Sequence, residues 1–232
     1  MLTYRKPLTA AALAAALLIT TACTADDDRP GRGSGGNGGS GGQNGGRGSA
    51  LAAVDALVVK GRAPKTGYAR EEFGRAWADV DRNGCGTRDD ILKRDLTGVA
   101  VKDGGCKVAS GTLTDDPYTG RRVEFVRGRS KVDIDHVVAL SDAWQKGAQK
   151  WDPEKRLRFA NDPLNLLAVD SATNRRKGDG DAATWLPPNK AYRCTYVARQ
   201  VAVKRKYEVW VTRGEQDAMR RVLARCPEQR LP

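Results

Sequence analysis

Between positions 133 and 177 the chain carries residue types that can hydrolyse a phosphodiester near neutral pH. That chemistry needs a base to activate water and a cation to stabilise charge on the phosphoryl and leaving oxygens. His136, the one histidine in 232 residues, can be the base, since an unperturbed imidazole with a pKa near ~6.5 is largely neutral at pH 7. Asp135 beside it is a hard oxygen ligand, and Asn174 offers a neutral carbonyl oxygen. Such a pair suits one divalent cation, Mg²⁺ first and Mn²⁺ second, that keeps several waters and takes further ligands from substrate phosphate. On an extended strand neighbouring side chains point to opposite sides, so Asp135 and His136 can serve the metal and the water without competing. Lys177, one turn beyond Asn174 on a helix, is expected to reach a phosphate as a point charge, with Arg175 and Arg176 as further phosphate contacts. A serine or cysteine hydrolase lacks its partners here, because one histidine serves the whole chain and the domain cysteines are expected to be paired. A paired-carboxylate glycosidase is compatible with the composition but gives the two asparagines, Asn165 and Asn174, no role.

These residues need elements to hold them. Helices are predicted over 51–59, 70–77, 87–96 (capped by Thr87), 141–150 and 153–160, the last with Pro153 in its first turn. Strands are predicted over 108–114 and 122–127, separated by the turn Asp115 to Gly120. A tight turn at 128–130 leads into a strand over 132–135, so His136 is expected at the end of a hairpin. A further strand over 164–169 precedes a helix from Ser171, and helices over 197–205 and 215–224 flank a strand at 207–211. Asp81 to Gly86 fails as an EF-hand, because Cys85 takes a ligand position and the closing Glu is missing. Trp144, Trp151, Trp185 and Trp210 are assigned to the core rather than to base stacking.

Asp133-Ile134-Asp135-His136-Val137-Val138, followed by Asn165 through Asn174-Arg175-Arg176-Lys177-Gly178-Asp179, resembles the HNH nuclease motif in its Asp-His…Asn…Asn form. From about Thr112 to Cys226 the chain is similar to the HNH-like C-terminal domain of GmrSD-type restriction enzymes, as it occurs alone in exported actinobacterial proteins. The resemblance implies an α+β fold on a ββα-metal (His-Me finger) core spanning about 112–180, with additional helices and two disulfides. It implies His136 as general base, Asp135 and Asn174 as metal ligands, Asp133 as a supporting carboxylate, and Asn165 as a structural amide that fixes a loop. The products it implies end in 5′ phosphate and 3′ hydroxyl. At Ala139 the chain departs from the many HNH motifs that carry proline, and Asn174 replaces the second histidine, which moves metal preference from zinc or nickel toward magnesium or manganese.

Residues 1–22 read as an export signal, with Arg5 and Lys6 before the apolar run 10–19 and small residues before Cys23. Thr20-Thr21-Ala22-Cys23 resembles a lipoprotein lipobox, so Cys23 is expected to carry the lipid that anchors the protein outside the membrane. Residues 23–50 read as a Gly/Ser-rich flexible tether, leaving 51–232 as one domain. The net charge of +12 favours a polyanion, with DNA expected ahead of RNA, and 14 Lys and Arg against 6 Asp and Glu after position 170 place much of the excess late in the chain. Cys85, Cys106, Cys194 and Cys226 form an even set in an exported chain, which implies two disulfides. Of three possible pairings, Cys85 with Cys106 and Cys194 with Cys226 is favoured, since each encloses a moderate loop. The alternative to an enzyme is a non-catalytic surface lipoprotein that holds extracellular DNA or acidic wall polymer on the same basic face.

Overall fold

The computed structural model describes residues 49–102 and 104–232. The export signal, Cys23 and nearly all of the expected tether lie outside the described residues. The tether's expected end does not hold, because Ser49 caps the first helix, α1 (Ala50–Asp55), accepting from the Ala52 amide.

After a 3-10 turn at Arg70–Phe73 comes α2 (Thr87–Asp95). Its N-cap is Gly86 rather than the expected Thr87, whose hydroxyl donates to the Ala78 carbonyl instead. Three antiparallel strands follow in the order β1 (Thr97–Lys102), β2 (Lys107–Leu113) and β3 (Val123–Val126). The first was not predicted, since Gly98 and the mostly exposed residues of β1 give it no apolar alternation.

β4 (Val132–His136) does not extend a hairpin from β3. It pairs antiparallel with β5 (Leu166–Asp170), thirty residues later, in a separate two-stranded sheet. Between them lie α3 (Leu140–Trp144), a 3-10 turn and α4 (Pro153–Ala160). The single helix expected over 141–150 breaks at Gly147, whose φ of 128° lies outside helical space. α4 begins where Pro153 and the Asp152 cap predict, with Asp152 accepting from the Lys155 amide at 2.7 Å.

α5 (Ser171–Lys177) starts directly from β5, because the Asp170 carboxylate accepts from both the amide and the hydroxyl of Thr173 at 2.7 Å. This produces a contiguous β4–β5–α5 unit. α6 (Arg193–Tyr207) and α7 (Arg213–Leu223) complete the fold. No strand forms at 207–211: Tyr207 ends α6, Glu208 takes a left-handed cap, and Val211 makes one isolated bridge to Val59.

The β4–β5 sheet lies between two apolar clusters, as its alternating residues require. Val132, Ile134, Leu166 and Ala168 pack with α2 and the three-stranded sheet, while Leu167 and Val169 join α1, α6 and α7. A third cluster joins Phe73, α3, α4 and the end of α6. Disulfides Cys85–Cys106 and Cys194–Cys226 close the loops ahead of α2 and beyond α7. The architecture is α+β, and among the described residues no helix is long and apolar enough to cross a membrane.

Candidate active site

Asp133 and Asp135 lie two apart on β4, opposite Val169 and Leu167, and so share one face of the sheet. α5 packs over that face. Asn174 donates its Nδ2 to Asp133 Oδ2 at 3.4 Å, and because a carboxylate only accepts, the amide Oδ1 is left for another partner. Three residues on, the Lys177 ammonium donates to Asp135 Oδ1 at 3.0 Å and to the His136 carbonyl at 2.8 Å. Lys177 is therefore buried inside the β4–α5 contact and does not extend to a phosphate. The helical spacing was read correctly, but it points Lys177 inward onto the sheet.

The other oxygen of Asp135 accepts from the hydroxyl of Tyr118. Tyr118 is fully buried, edge-on to Trp185 and Tyr196, in the loop before β3. Asp116 holds that loop by accepting from the Thr119 amide and hydroxyl and from the Asp170 amide. Sequence reasoning passed over Tyr118 as a turn residue; its only signal is a large aromatic inside an otherwise polar turn. Burial pushes the Asp135 carboxyl above the usual carboxylate range, with Lys177 and Tyr118 pulling against it. Each carboxylate oxygen has a second lone-pair site beyond the bond it accepts, so a further cation could be taken at Asp135.

His136 faces the opposite way. Its Nε2 lies 2.8 Å from the Ala160 carbonyl, which can only accept, so Nε2 carries the proton and Nδ1 keeps a free lone pair. Burial lowers the imidazole pKa to about 3, with the Ala160 bond opposing and the charges of Arg70 and Lys177 assisting. Neutral His136 is thus oriented as a proton acceptor.

The turn beyond it is held by Asn165, which is completely buried. Its Oδ1 accepts from the Val138 amide at 2.8 Å, and its Nδ2 donates to the Val138 carbonyl at 3.2 Å. The amide therefore ties the start of β5 to the chain leaving β4. Ala139, where proline is common in the motif, has φ −59° and ψ 144°, a conformation that proline would itself adopt.

Asp135, His136 and Asn174 line one cavity of about 200 Å³ with Arg70, Leu140 and Asp179. The donors there are one carboxylate and one amide oxygen, and no cluster of three His, Cys, Asp or Glu side chains occurs among the described residues. This set suits a hard cation that retains water. Arg176 lies elsewhere, in a groove of about 640 Å³ with Arg121, Arg122, Arg129 and Lys131, and its guanidinium donates to Thr173 Oγ1. Arg175 is exposed on α5, 3.5 Å from Ser171 Oγ, and lines neither cavity. The basic groove is thus built mainly from 121–131 and not from the C-terminal quarter, whose Lys177 and Lys204 are buried in ion pairs. None of Trp144, Trp151, Trp185 and Trp210 lines these cavities; the first three pack in or against the core.

Residues 86–222, more than half of the chain, match the family described as GmrSD restriction endonucleases, C-terminal domain. The chain belongs to this family. The match contains β4, β5 and α5 whole, and with them Asp135, His136, Asn165 and Asn174. The chain is also similar to an uncharacterized secreted protein of Arthroderma benhamiae, 39% identical over 180 residues that make up 77% of this chain and 85% of the relative. No solved structure matches the chain. The family is nuclease-related, and its members are thus found beyond bacteria.

Proposed function

We propose that the protein is an exported, metal-dependent endonuclease that hydrolyses phosphodiester bonds of nucleic acid, DNA ahead of RNA and with little sequence specificity. The observation that carries the reading is the convergence of Asp135, Asn174 and a correctly oriented His136 on one cavity. Family membership and the secreted relative support it. The β4–β5–α5 unit would be the ββα-metal core.

In this reading Asp135 and Asn174 hold one divalent cation, Mg²⁺ or Mn²⁺, which supplies charge stabilisation to the phosphoryl and leaving oxygens. His136 accepts a proton at Nδ1 from the attacking water while Nε2–H stays on the Ala160 carbonyl, so the ring cannot turn during transfer. Asp133 keeps the Asn174 amide in its orientation, and Asn165 keeps the turn after His136 in place. Lys177 holds Asp135 from behind as a positioning residue. The groove with Arg121, Arg122, Arg129, Lys131 and Arg176 provides cations for the phosphate backbone away from the scissile bond. Residues 1–22 would direct export, with Cys23 as the lipid attachment point.

The test is cleavage of plasmid DNA and of RNA by the purified protein with Mg²⁺ or EDTA, alongside His136→Ala matched for folding by circular dichroism. Metal-dependent cleavage that falls about 10²- to 10⁴-fold in the variant is expected. No cleavage by the folded, disulfide-intact protein with Mg²⁺ or Mn²⁺ would reject the reading.

A further inference from the structure

His136 separates two cavities. Arg70, His136 and Leu140 line the polar one that holds Asp135 and Asn174, and they also line a second of about 170 Å³. The walls of this second cavity are mainly apolar: Phe73, Leu140, Ala160 and the half-buried Trp77, with the exposed Arg70 and Arg75 also lining it. The Trp77 ring lies 17° from parallel to the His136 imidazole, with centroids 6.3 Å apart.

Trp77 is held there at a cost. Its φ of 57° is left-handed, a region that bulky residues rarely occupy, and strain of this kind gathers at ligand sites. The chain around it is fixed from outside the cavity, since Thr87 Oγ1 donates to the carbonyl of the next residue, Ala78. A pinned aromatic ring and apolar walls, with arginines alongside and continuity with the hydrolytic cavity, match the chemistry of one nucleotide: a flat base with a π-face joined to an anionic backbone.

We propose that the cavity between Trp77 and His136 is a slot for a single nucleobase of the substrate strand, next to the phosphate that is cut. This rests on the nuclease reading. A base inside a duplex is stacked on both sides and cannot reach Trp77 unless it is extruded, so the slot favours single-stranded or locally opened nucleic acid. Arg70, common to both cavities, sits where the backbone passes from the base slot to the scissile phosphate.

The experiment measures binding to the full protein in EDTA, by fluorescence anisotropy, of a short DNA strand, its duplex, and a strand of equal length and charge that carries no bases. The variants are Trp77→Leu, which removes the π-face, and Trp77→Phe, which keeps one; cleavage of strand and duplex is then compared with Mg²⁺. The expected result is roughly tenfold or greater preference for the base-bearing strand over both other ligands. Trp77→Leu should reduce strand binding to the level of the baseless strand, leave duplex binding unchanged and remove the single-strand preference in cleavage, while Trp77→Phe retains most of both. Equal binding of base-bearing and baseless strands by the unaltered protein would overturn the slot whether or not the variants fold. An unchanged single-strand preference in folded Trp77→Leu would do the same. Absence of metal-dependent cleavage alongside base-dependent binding would instead remove the nuclease reading alone.

Discussion

At the scale of single residues, the site sets His136 and Asp135 in opposition. The imidazole is neutral because burial lowers its pKa to about 3, whereas in the unfolded chain it titrates near ~6.5. Between those values the unfolded chain binds more protons than the folded one. Stability from this group is therefore complete above about pH 6.5 and is lost as pH falls toward 3, by up to about 1.4 kcal/mol per unit. Asp135, whose pKa is raised, acts in the opposite sense at lower pH, so the informative quantity is a difference between proteins. In urea denaturation without divalent cations, the unaltered protein should lose about 2 kcal/mol more than His136→Asn between pH 7 and pH 5. Equal slopes would show that His136 is not held neutral by burial. The candidate residues Asp135, His136, Asn165 and Asn174 were legible because each carries distinctive chemistry at a recognisable spacing. Tyr118, Arg70 and Trp77 were not, because they come from loops and turns whose local pattern says nothing about what they face.

At the scale of elements, the feature that sequence reading missed altogether is an ion network between α3, α6, α7 and two loops. Lys146 reaches Asp142 at 2.7 Å, Asp181 at 2.8 Å and Glu215 at 2.6 Å. Lys204 reaches Asp142 and Glu215 at 3.2 and 2.9 Å, and Arg62 bridges Asp142 and Asp181 at 2.9 and 2.6 Å. Three cations meet three carboxylates, so the cluster is neutral, and all but Arg62 are at most 3% exposed. Burial alone would push the Asp181 carboxyl up, but Lys146 and Arg62 outweigh it and hold its pKa down to about 2. Such a network adds little over well-packed apolar residues, yet removing one member strands its partners without water. Lys146→Ala should therefore destabilise the protein by about 3–5 kcal/mol in chemical denaturation. A loss below 1 kcal/mol would mean that water or a rearranged Lys204 takes its place. On sequence these residues read as ordinary surface charges, because helix periodicity does not reveal which polar face another helix will cover. The same limit explains β4: its alternation was clear, but its partner is a distant strand.

At the scale of the whole molecule, the disulfides tie the ends of the domain to its middle. Cys85–Cys106 spans 21 residues and Cys194–Cys226 spans 32, and loop closure of that size stabilises by about 3–4 kcal/mol each in the chain-entropy account. Replacing Cys194 and Cys226 by serine should lower the midpoint of urea unfolding by an amount equivalent to about 2–4 kcal/mol. An unchanged midpoint would show that the packing of α6 and α7 with α1 suffices by itself. The cysteine pairing followed from an even count and moderate separations, which are properties of the chain alone. So did the α+β class, the cap and Pro153 of α4, and the Asp-His…Asn…Asn constellation, because capping, helix periodicity and ligand chemistry are written in neighbouring residues. Which strand completes β4, whether Lys177 meets a phosphate or a buried carboxylate, and which loop brings Trp77 against His136 were decided by the tertiary structure. Those contacts join residues far apart in sequence, and their outcome depends on which faces are excluded from water once the whole chain has packed.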